Sequence, residues 1–169
     1  MNVAVAQKTR LDLEAFVAAE YPAVVAAVGL ITGNRQDAAD AVQDAIVGFL
    51  AKPPRREIDN VAAWLTVVAS NRLRDQYRSR AAESRALGRV GVAEESVTDA
   101  TRLLDLDVVA ALDSLPLQQR QVCVLHYLLD QSVATIAEGL GVSEGTIKTQ
   151  LHRARKSLAA RLRREDHHG

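Results

Sequence analysis

Cationic side chains gather near the end of the chain, in the stretch VSEGTIKTQLHRARKSL that begins at Val142. Between Glu144 and Arg164 there are seven Lys or Arg residues and one acidic residue, although the whole chain has 21 of each sign and a net charge of zero. One strongly basic segment in an otherwise neutral protein indicates a local binding site for a polyanion rather than nonspecific electrostatic binding. The chemistry that these residues offer is therefore binding to phosphates and base edges.

A second reactive pair is Cys123 and His126, which are three positions apart on a predicted helix and so share one face. Such a pair is compatible with a nucleophile and its base, or with half of a zinc site. Cys123, however, lies in the apolar run VCVL, and free cysteine is commonly buried. No further ligand lies near in sequence. We therefore expect no catalytic residue, no metal, no cofactor and no small-molecule substrate, and keep an enzyme as an alternative.

The rest of the composition bears on compartment and core. One cysteine rules out an internal disulfide and favours a reducing compartment. The start MNVAVAQKTR lacks the apolar core of a signal peptide, and no early apolar run reaches the roughly 18 residues of a membrane span. We expect a cytoplasmic protein without membrane insertion. Few aromatic residues and many Ala and Val residues indicate a core of small aliphatic side chains.

Apolar residues recur at helical rather than strand spacing, so the sequence predicts an all-α fold. In the first half, Pro22 marks a helix start or a kink, and Gly33 ends the first helix. Asp37 is predicted to cap the second helix and Asn60 the third. The prolines of KPPRREIDN break the chain at residues 52–60. The predicted helices of this half are residues 11–31, 37–51 and 61–80.

The helical pattern fades between Ala81 and about Thr101, where two glycines stand among small polar and charged residues. This composition is typical of a flexible linker. The chain is therefore predicted to form two small helical domains, residues 11–80 and 103–164, joined by a linker over residues 81–102. The predicted helices of the second domain are residues 103–114, 117–129, 133–140 and a long one from residue 144.

The last two of these helices have the layout of a helix-turn-helix. A short apolar helix is followed by the turn GVS, in which Gly141 occupies the position that needs positive φ. Ser143 is predicted to cap the long helix through the backbone of Thr146. The inward face of the long helix follows spacings of four, three and four residues: Ile147, Leu151, Ala154 and Leu158.

The outer face of the long helix is polar and mostly cationic. A helix fits the major groove of DNA, where its early residues reach base edges. We therefore expect Lys148, Thr149 and His152 to read bases. The later residues Arg153, Arg155 and Lys156 are expected to contact phosphates. Two alternatives are a merely solvated face and a helix lying on a membrane, the latter disfavoured because the helix lacks Trp and Phe.

The C-terminal half resembles region 4 of the sigma-70 family, the part that binds the minus-35 promoter element. The resemblance is carried by ALDSLPLQQRQVCVLHYLLDQSVATIAEGLGVSEGTIKTQLHRARKSL, and above all by the LP…R opening together with GTIKTQLHRAR. It implies a DNA-binding function for the residues of the long helix that match the motif or face outward. The expected minus-35 contacts are Glu144, Gly145, Thr146, Lys148, Thr149, His152, Arg153, Arg155 and Lys156.

The N-terminal half resembles region 2 of the same family. DAADAVQDAIVGFL is similar to the helix that binds the polymerase clamp, usually written like DLVQETF, although Ala41 and Ile46 depart from the usual Leu and Phe. The resemblance implies that Asp40, Gln43 and Asp44 contact polymerase. Without it, Asp40 and Asp44 are one turn apart and also compatible with solvated helix surface.

The next helix, AAWLTVVASNRLRDQYRSR, is similar to the one that recognises the minus-10 element, with Ser70 in place of the usual Arg. The preceding loop falls where the family captures an unstacked base, but it holds no aromatic residue for stacking. Asn60 is equally compatible with a helix cap alone, and Trp64 is more typical of a packing anchor. The expected minus-10 contacts are Asn60, Asn71, Arg72, Arg74 and Arg78.

Two domains in this order are typical of the extracytoplasmic-function (ECF) group, which has regions 2 and 4 only. The resemblance implies a sigma factor, not an enzyme, that binds core RNA polymerase and directs it to promoters. Its expected partners are core polymerase, promoter DNA and an anti-sigma factor. The alternative is a helix-turn-helix regulator that binds its operator alone as a dimer.

Overall fold

The computed structural model describes residues 13–88 and 106–167, which form helices and loops without a strand. The all-α prediction is thus confirmed. Helix α1 (Leu13–Ala19) and helix α2 (Tyr21–Thr32) meet at a bend of 72°. Pro22 lies in the first turn of α2, where a backbone N–H would have no acceptor within the helix, so its absence costs no hydrogen bond. Gly33 ends α2 with a φ of 78°, as predicted.

Helix α3 (Arg35–Ala51) begins two residues before the predicted cap, and the prediction for Asp37 is wrong. The side chain of Asn34 accepts a hydrogen bond from the backbone N–H of Asp37 at 3.0 Å. Asn34 is therefore the cap and Asp37 is the third helical residue. Both are Asx residues within one turn and either suits a cap, but Asn34 has the extended backbone of a capping residue, with a φ of −138°.

Helix α4 (Val61–Ala86) begins at the predicted cap, because Asn60 accepts from the N–H of Ala63 at 2.9 Å. It ends at Ala86 and not at the predicted residue 80, so the first residues of the predicted linker are helical. The segment AAESRA is rich in helix formers and continues the helix past the end of the apolar stripe. Residues 89–102 of the predicted linker lie outside the described residues.

The second half follows the predicted helices closely. Helix α5 is described over Leu106–Asp113, while residues 103–105 of its predicted range lie outside the described residues. Helix α6 (Leu117–Cys123) continues as one π-helical turn over Val124–Leu128. Helix α7 (Val133–Leu140) is capped by Ser132 and ends at Gly141, whose φ is 67°. Helix α8 (Glu144–Asp166) completes the helix-turn-helix.

Two apolar clusters hold these helices. One lies within α1–α4 and includes Phe16, Val42 and Leu65. The other is built mainly from α5–α8 but also takes in Ile31 of α2 and Val67 of α4. The two halves of the chain therefore share a core and pack directly on one another.

No single helix in the described ranges is long and apolar enough to cross a membrane. Helices α1 and α2 pass the test of length and composition only as a pair, across their 72° bend. Residues along α2, among them Val24, Val28 and Ile31, are instead buried inside the protein.

We expect Asn34→Ala to lower the free energy of unfolding by about 1 kcal/mol, because it removes the cap of α3. Urea unfolding followed by circular dichroism measures the change. Gln36→Ala, an exposed position in the same first turn, is the matched control and should change stability by less than half as much. Equal stability of the two variants would show that Asn34 does not act as the cap.

Candidate nucleic-acid interface

The orientation of α8 is set at its first turn and along its inward face. Ser143 Oγ accepts from the backbone N–H of Thr146 at 3.1 Å, which caps the helix as predicted. Ile147, Leu151 and Ala154 are buried in the core of the C-terminal half. A helix anchored along this stripe has to present its remaining faces outward.

Every residue of the predicted minus-35 set is exposed. The three predicted base readers Lys148, Thr149 and His152 lie in the first turns of α8, and the cations Arg153, Arg155 and Lys156 follow. The structure therefore brings this set together on one continuous outer surface, which we call the α8 face: Glu144, Gly145, Thr146, Lys148, Thr149, His152, Arg153, Arg155 and Lys156.

Tyr127 supports the α8 face from the neighbouring π-helical turn. Arg155 donates from Nη1 to the Tyr127 hydroxyl at 3.2 Å. The Tyr127 ring also packs edge-on against His126, with centroids 4.8 Å apart. Because Tyr127 is 53% exposed, its hydroxyl borders the surface that Arg155 belongs to. The sequence gave no sign of this contact.

The predicted polymerase contacts form a second surface on α3. Asp40, Gln43 and Asp44 are all exposed, and their spacing of three and one residues puts them on one face. The exposed apolar residues Val47 and Leu50 continue that face toward the end of α3. Sequence reasoning missed these two, although they continue the same three-to-four-residue spacing. We call the five residues the α3 stripe.

Three of the predicted minus-10 residues share one face of α4, because Asn71, Arg74 and Arg78 are spaced three and four residues apart. Arg72 faces α3, where its guanidinium lies 3.5 Å from the Asp44 carboxylate. Asn71 faces the other half of the protein and accepts from Gln121 Nε2 at 2.9 Å. Arg78 is exposed, while Arg74 is partly buried beside Asp75 at 4.0 Å. Asn60 is exposed and serves as a cap.

The contact between Asn71 and Gln121 belongs to a polar junction between the two halves. Gln121 also donates to Ser70 Oγ at 2.7 Å, and Ser70 is 1% exposed. Arg120 donates to the carbonyl oxygen of Ile31 at 3.0 Å, and burial lowers the pKa of its guanidinium. Sequence reasoning missed Gln121. Its spacing of four residues from both Leu117 and Leu125 was the available signal, since this places a polar residue on an apolar stripe.

A cavity of about 240 Å³ lies between the two halves of the chain. It is lined from the N-terminal half by Asn60, Trp64 and Val67, and from the C-terminal half by Gln131 and Thr135. Trp64 also packs edge-on against Phe49, with centroids 5.3 Å apart, which agrees with its expected packing role. An ion pair between Arg56 and Glu138 joins the loop before α4 to α7.

The alternative site at Cys123 and His126 gains no support. Cys123 is buried in the core, as expected, and burial raises the pKa of its thiol, which disfavours the reactive thiolate. His126 Nδ1 lies 2.8 Å from the carbonyl oxygen of Gln131. Among the described residues, no group of three or more His, Cys, Asp or Glu side chains is placed to hold a metal ion.

Two family models match the chain in the same order as the two halves of the structure. Residues 16–83 match "Sigma-70 region 2" and residues 105–158 match "Sigma-70, region 4". The ECF RNA polymerase sigma factor SigL of Mycobacterium tuberculosis is 32% identical over 148 residues, which cover 78% of each chain. This chain belongs to the ECF group of the sigma-70 family. It is therefore a sigma factor that directs RNA polymerase to promoters for transcription initiation.

Other relatives agree with this assignment. The ECF sigma factor EcfG of Rhodopseudomonas palustris is 32% identical over 149 residues, with 86% of this chain and 82% of EcfG covered. The sigma factor RpoE in its co-crystal structure with the anti-sigma factor NepR, from Bartonella quintana, has a TM-score of 0.76 and 29% identity over 90% of this chain and 97% of RpoE. CnrH in complex with the cytosolic domain of CnrY has a TM-score of 0.65 and 26% identity, covering 94% and 95% of the two chains.

Tyr77 fixes how α3 and α4 of this sigma factor present their surfaces. Its hydroxyl donates to Asp37 Oδ2 at 2.8 Å and so ties α4 to the first turn of α3. Burial, followed by the hydrogen bond to the Asp37 carboxylate, raises the pKa of Tyr77 to about 12. The neutral phenol is thus the form that the folded protein favours.

The hydrogen bond from Tyr77 to Asp37 predicts how the stability of the fold depends on pH. Because the folded pKa is raised above the ordinary value of 10.0, its stabilising effect is complete below pH 10 and is lost as pH rises toward 12. Tyr77→Phe should therefore be less stable than the wild type at pH 9, and this difference should shrink above pH 10. Urea unfolding at several pH values measures it. Tyr127→Phe, at an exposed tyrosine, is the control. If the stability difference between the wild type and Tyr77→Phe did not change with pH, the assigned pKa would be wrong.

Proposed function

We propose that this sigma factor contacts the minus-35 element through the α8 face. The observation that carries the proposal is the division of α8 into a buried apolar stripe and an exposed cationic surface. Lys148, Thr149 and His152 are placed on the early turns that enter a major groove, and the later cations suit phosphates. This role falls to the domain proposed at residues 103–164.

The α3 stripe is proposed to bind the clamp of core polymerase. Asp40, Gln43 and Asp44 supply charge and hydrogen bonds, and the exposed apolar pair Val47 and Leu50 supplies area to bury. An interface that joins buried apolar surface to polar groups is the usual make-up of a specific protein contact. This role belongs to the domain proposed at residues 11–80.

For the minus-10 element we propose Asn60, Asn71, Arg72, Arg74 and Arg78. Arg78 is exposed and available to a DNA strand, whereas Arg72 is exposed but lies 3.5 Å from the Asp44 carboxylate. Asn71 is half-buried and its side-chain oxygen accepts from Gln121 in the described arrangement, so a DNA contact through that oxygen requires the bond to Gln121 to break. A linker, proposed at residues 81–102 with its first six residues continuing α4, makes the second promoter contact intramolecular once the first has formed.

An anti-sigma factor is proposed as a regulatory partner. The support comes from RpoE, whose structure was solved with the anti-sigma factor NepR. A partner that covers the α3 stripe or the α8 face would prevent the corresponding contact.

Members of the sigma-70 family are not known as enzymes. We propose that this chain has no catalytic activity and acts in the cytoplasm, without membrane insertion.

Lys148→Ala should weaken binding to promoters, because it removes a cation from the early turns of α8. We expect about a tenfold loss of transcript, in the range of one lost base or phosphate contact. Run-off transcription with core polymerase and a genomic promoter library first finds a promoter, and the variant is then assayed on it. Arg163→Ala, in the last turn of the same helix, is the matched control. Equal losses of transcript in both variants would show that the effect does not depend on where along α8 the cation lies.

Asp44→Ala should lower the affinity for core polymerase by about tenfold, in the range expected for an interface contact. Fluorescence anisotropy of the labelled sigma factor titrated with core polymerase measures this. Glu83→Ala removes an exposed carboxylate from α4 and should leave the affinity unchanged. If Asp44→Ala binds core as tightly as the wild type, Asp44 makes no polymerase contact.

A gel shift with the isolated protein tests the dimeric regulator, which predicts tight DNA binding without polymerase.

A further inference from the structure

The π-helical turn at Val124–Leu128 places Tyr127 beside helix α8. The wide turn is closed by a backbone hydrogen bond in which the N–H of Leu129 donates to the carbonyl oxygen of Val124 at 3.1 Å. The chain is buried up to Leu125 and exposed at Tyr127. Turns of this kind occur often at functional sites. Here the turn brings an aromatic hydroxyl out of the core and onto the surface next to α8.

The Tyr127 ring is held in place by its neighbours. His126 packs edge-on against it, with ring centroids 4.8 Å apart. The His126 ring is fixed in turn, because its Nδ1 lies 2.8 Å from the carbonyl oxygen of Gln131. A carbonyl oxygen can only accept a hydrogen bond, so we assign the proton to Nδ1. A surface side chain whose support is locked in this way is preorganised for binding.

The Tyr127 hydroxyl has unused capacity for hydrogen bonding. Arg155 donates to it from Nη1 at 3.2 Å, so the hydroxyl oxygen acts as an acceptor. A phenol can also donate one hydrogen bond, and among the described residues no group accepts the Tyr127 proton. The ion pairs within the same part of the chain do not involve Arg155. The pair therefore offers an O–H donor and the remaining N–H donors of a cation to an anion.

The pair lies where α8 would meet the phosphate backbone of DNA. Lys148, His152 and Arg155 are spaced four and three residues apart and so share one face of α8. Seven residues of helix rise about 10 Å, whereas the major groove is about 8.5 Å deep. A helix that enters the groove by its N-terminus and reads bases through Lys148 therefore has Arg155 level with the backbone.

We propose that Tyr127 and Arg155 form a phosphate clamp on the DNA strand that borders the minus-35 element. Arg155 supplies the charge. The Tyr127 hydroxyl orients the guanidinium and donates to an oxygen of the same phosphate. Contacts of this kind fix the position of a protein on the duplex without reading the sequence. The clamp rests on the proposed role of the α8 face and adds to it Tyr127, a residue of another helical turn.

A double-variant cycle on the holoenzyme tests the clamp. The sigma factor is assembled with core polymerase, and its affinity for a labelled promoter, found by run-off transcription, is measured by fluorescence anisotropy. Tyr127→Phe removes only the hydroxyl and should lower the affinity about fivefold, and Arg155→Ala should lower it about tenfold. The double variant should lose about as much as Arg155→Ala alone, because both groups act on one phosphate.

Arg163→Ala, in the last turn of α8, is the matched control for this cycle. Tyr127→Phe should cost the same factor with or without it. In a salt titration, Arg155→Ala should reduce the slope of log affinity against log salt by about one, and Tyr127→Phe by less, because it removes no charge. The clamp is overturned if Tyr127→Phe has no effect, or if it costs as much beside Arg155→Ala as in the wild type, since a merely structural hydroxyl would behave in that way.

Promoter DNA that carries one neutral methylphosphonate at a time locates the clamped phosphate. At one position beside the minus-35 element, this substitution should lower the affinity of the wild type and make the wild type and Tyr127→Phe bind alike. If Tyr127→Phe stays weaker than the wild type by the same factor on every substituted promoter, the hydroxyl has no phosphate partner and the clamp is refuted.

Lys148→Ala separates the clamp from the proposed function. Weaker promoter binding by Lys148→Ala and Arg155→Ala, without any effect of Tyr127→Phe, would leave the α8 face standing and refute the clamp. Unchanged binding by all three variants would refute the minus-35 contact through the α8 face, and the clamp with it. Weaker binding by all three, with coupling between Tyr127 and Arg155, supports both proposals.

Discussion

The arrangement of this sigma factor depends on an apolar core that both halves of the chain share, with one amide buried beside it. Burial of Ile31 and Val67 against the C-terminal helices draws the halves together, but the hydrophobic effect has no direction and tolerates many placements. The bonds from Gln121 to Ser70 and Asn71 select one placement. The Gln121 oxygen is buried without a hydrogen-bond donor among the described residues. Such a group costs about 1–3 kcal/mol, which offsets part of the stabilisation from the two bonds that the amide nitrogen donates.

The same packing decides which surfaces are exposed. Helix α8 docks through Ile147, Leu151 and Ala154, and this leaves its cations facing outward. Helix α3 packs on α2 and α4 through residues such as Val42 and leaves its carboxylates exposed. The two exposed surfaces have opposite charge, which suits partners of different chemistry: a polyanion for one and a protein with complementary donors for the other.

Local signals explain why most helix limits were predictable. Gly33, Asn60, Gly141 and Ser143 act through backbone conformation or a cap within three residues, so their effect is contained in short stretches of sequence. The two errors have related causes. Either Asn34 or Asp37 could cap α3, and the sequence pattern does not decide between two Asx residues in the same turn. The end of α4 was misplaced because AAESRA continues a helix by propensity after the apolar stripe has stopped.

The sequence by itself determined the helical fold, the family, the outward cationic face of α8 and the spacing of the α3 carboxylates. All of these follow from periodicity, caps and motifs that are short in sequence. Only the tertiary structure decided the contacts of the predicted minus-10 residues, with Arg72 directed toward Asp44 and Asn71 toward Gln121. Periodicity shows that Gln121 faces inward, but not which helix it meets. That choice depends on how two distant apolar surfaces fit together, and the information is spread over the whole core.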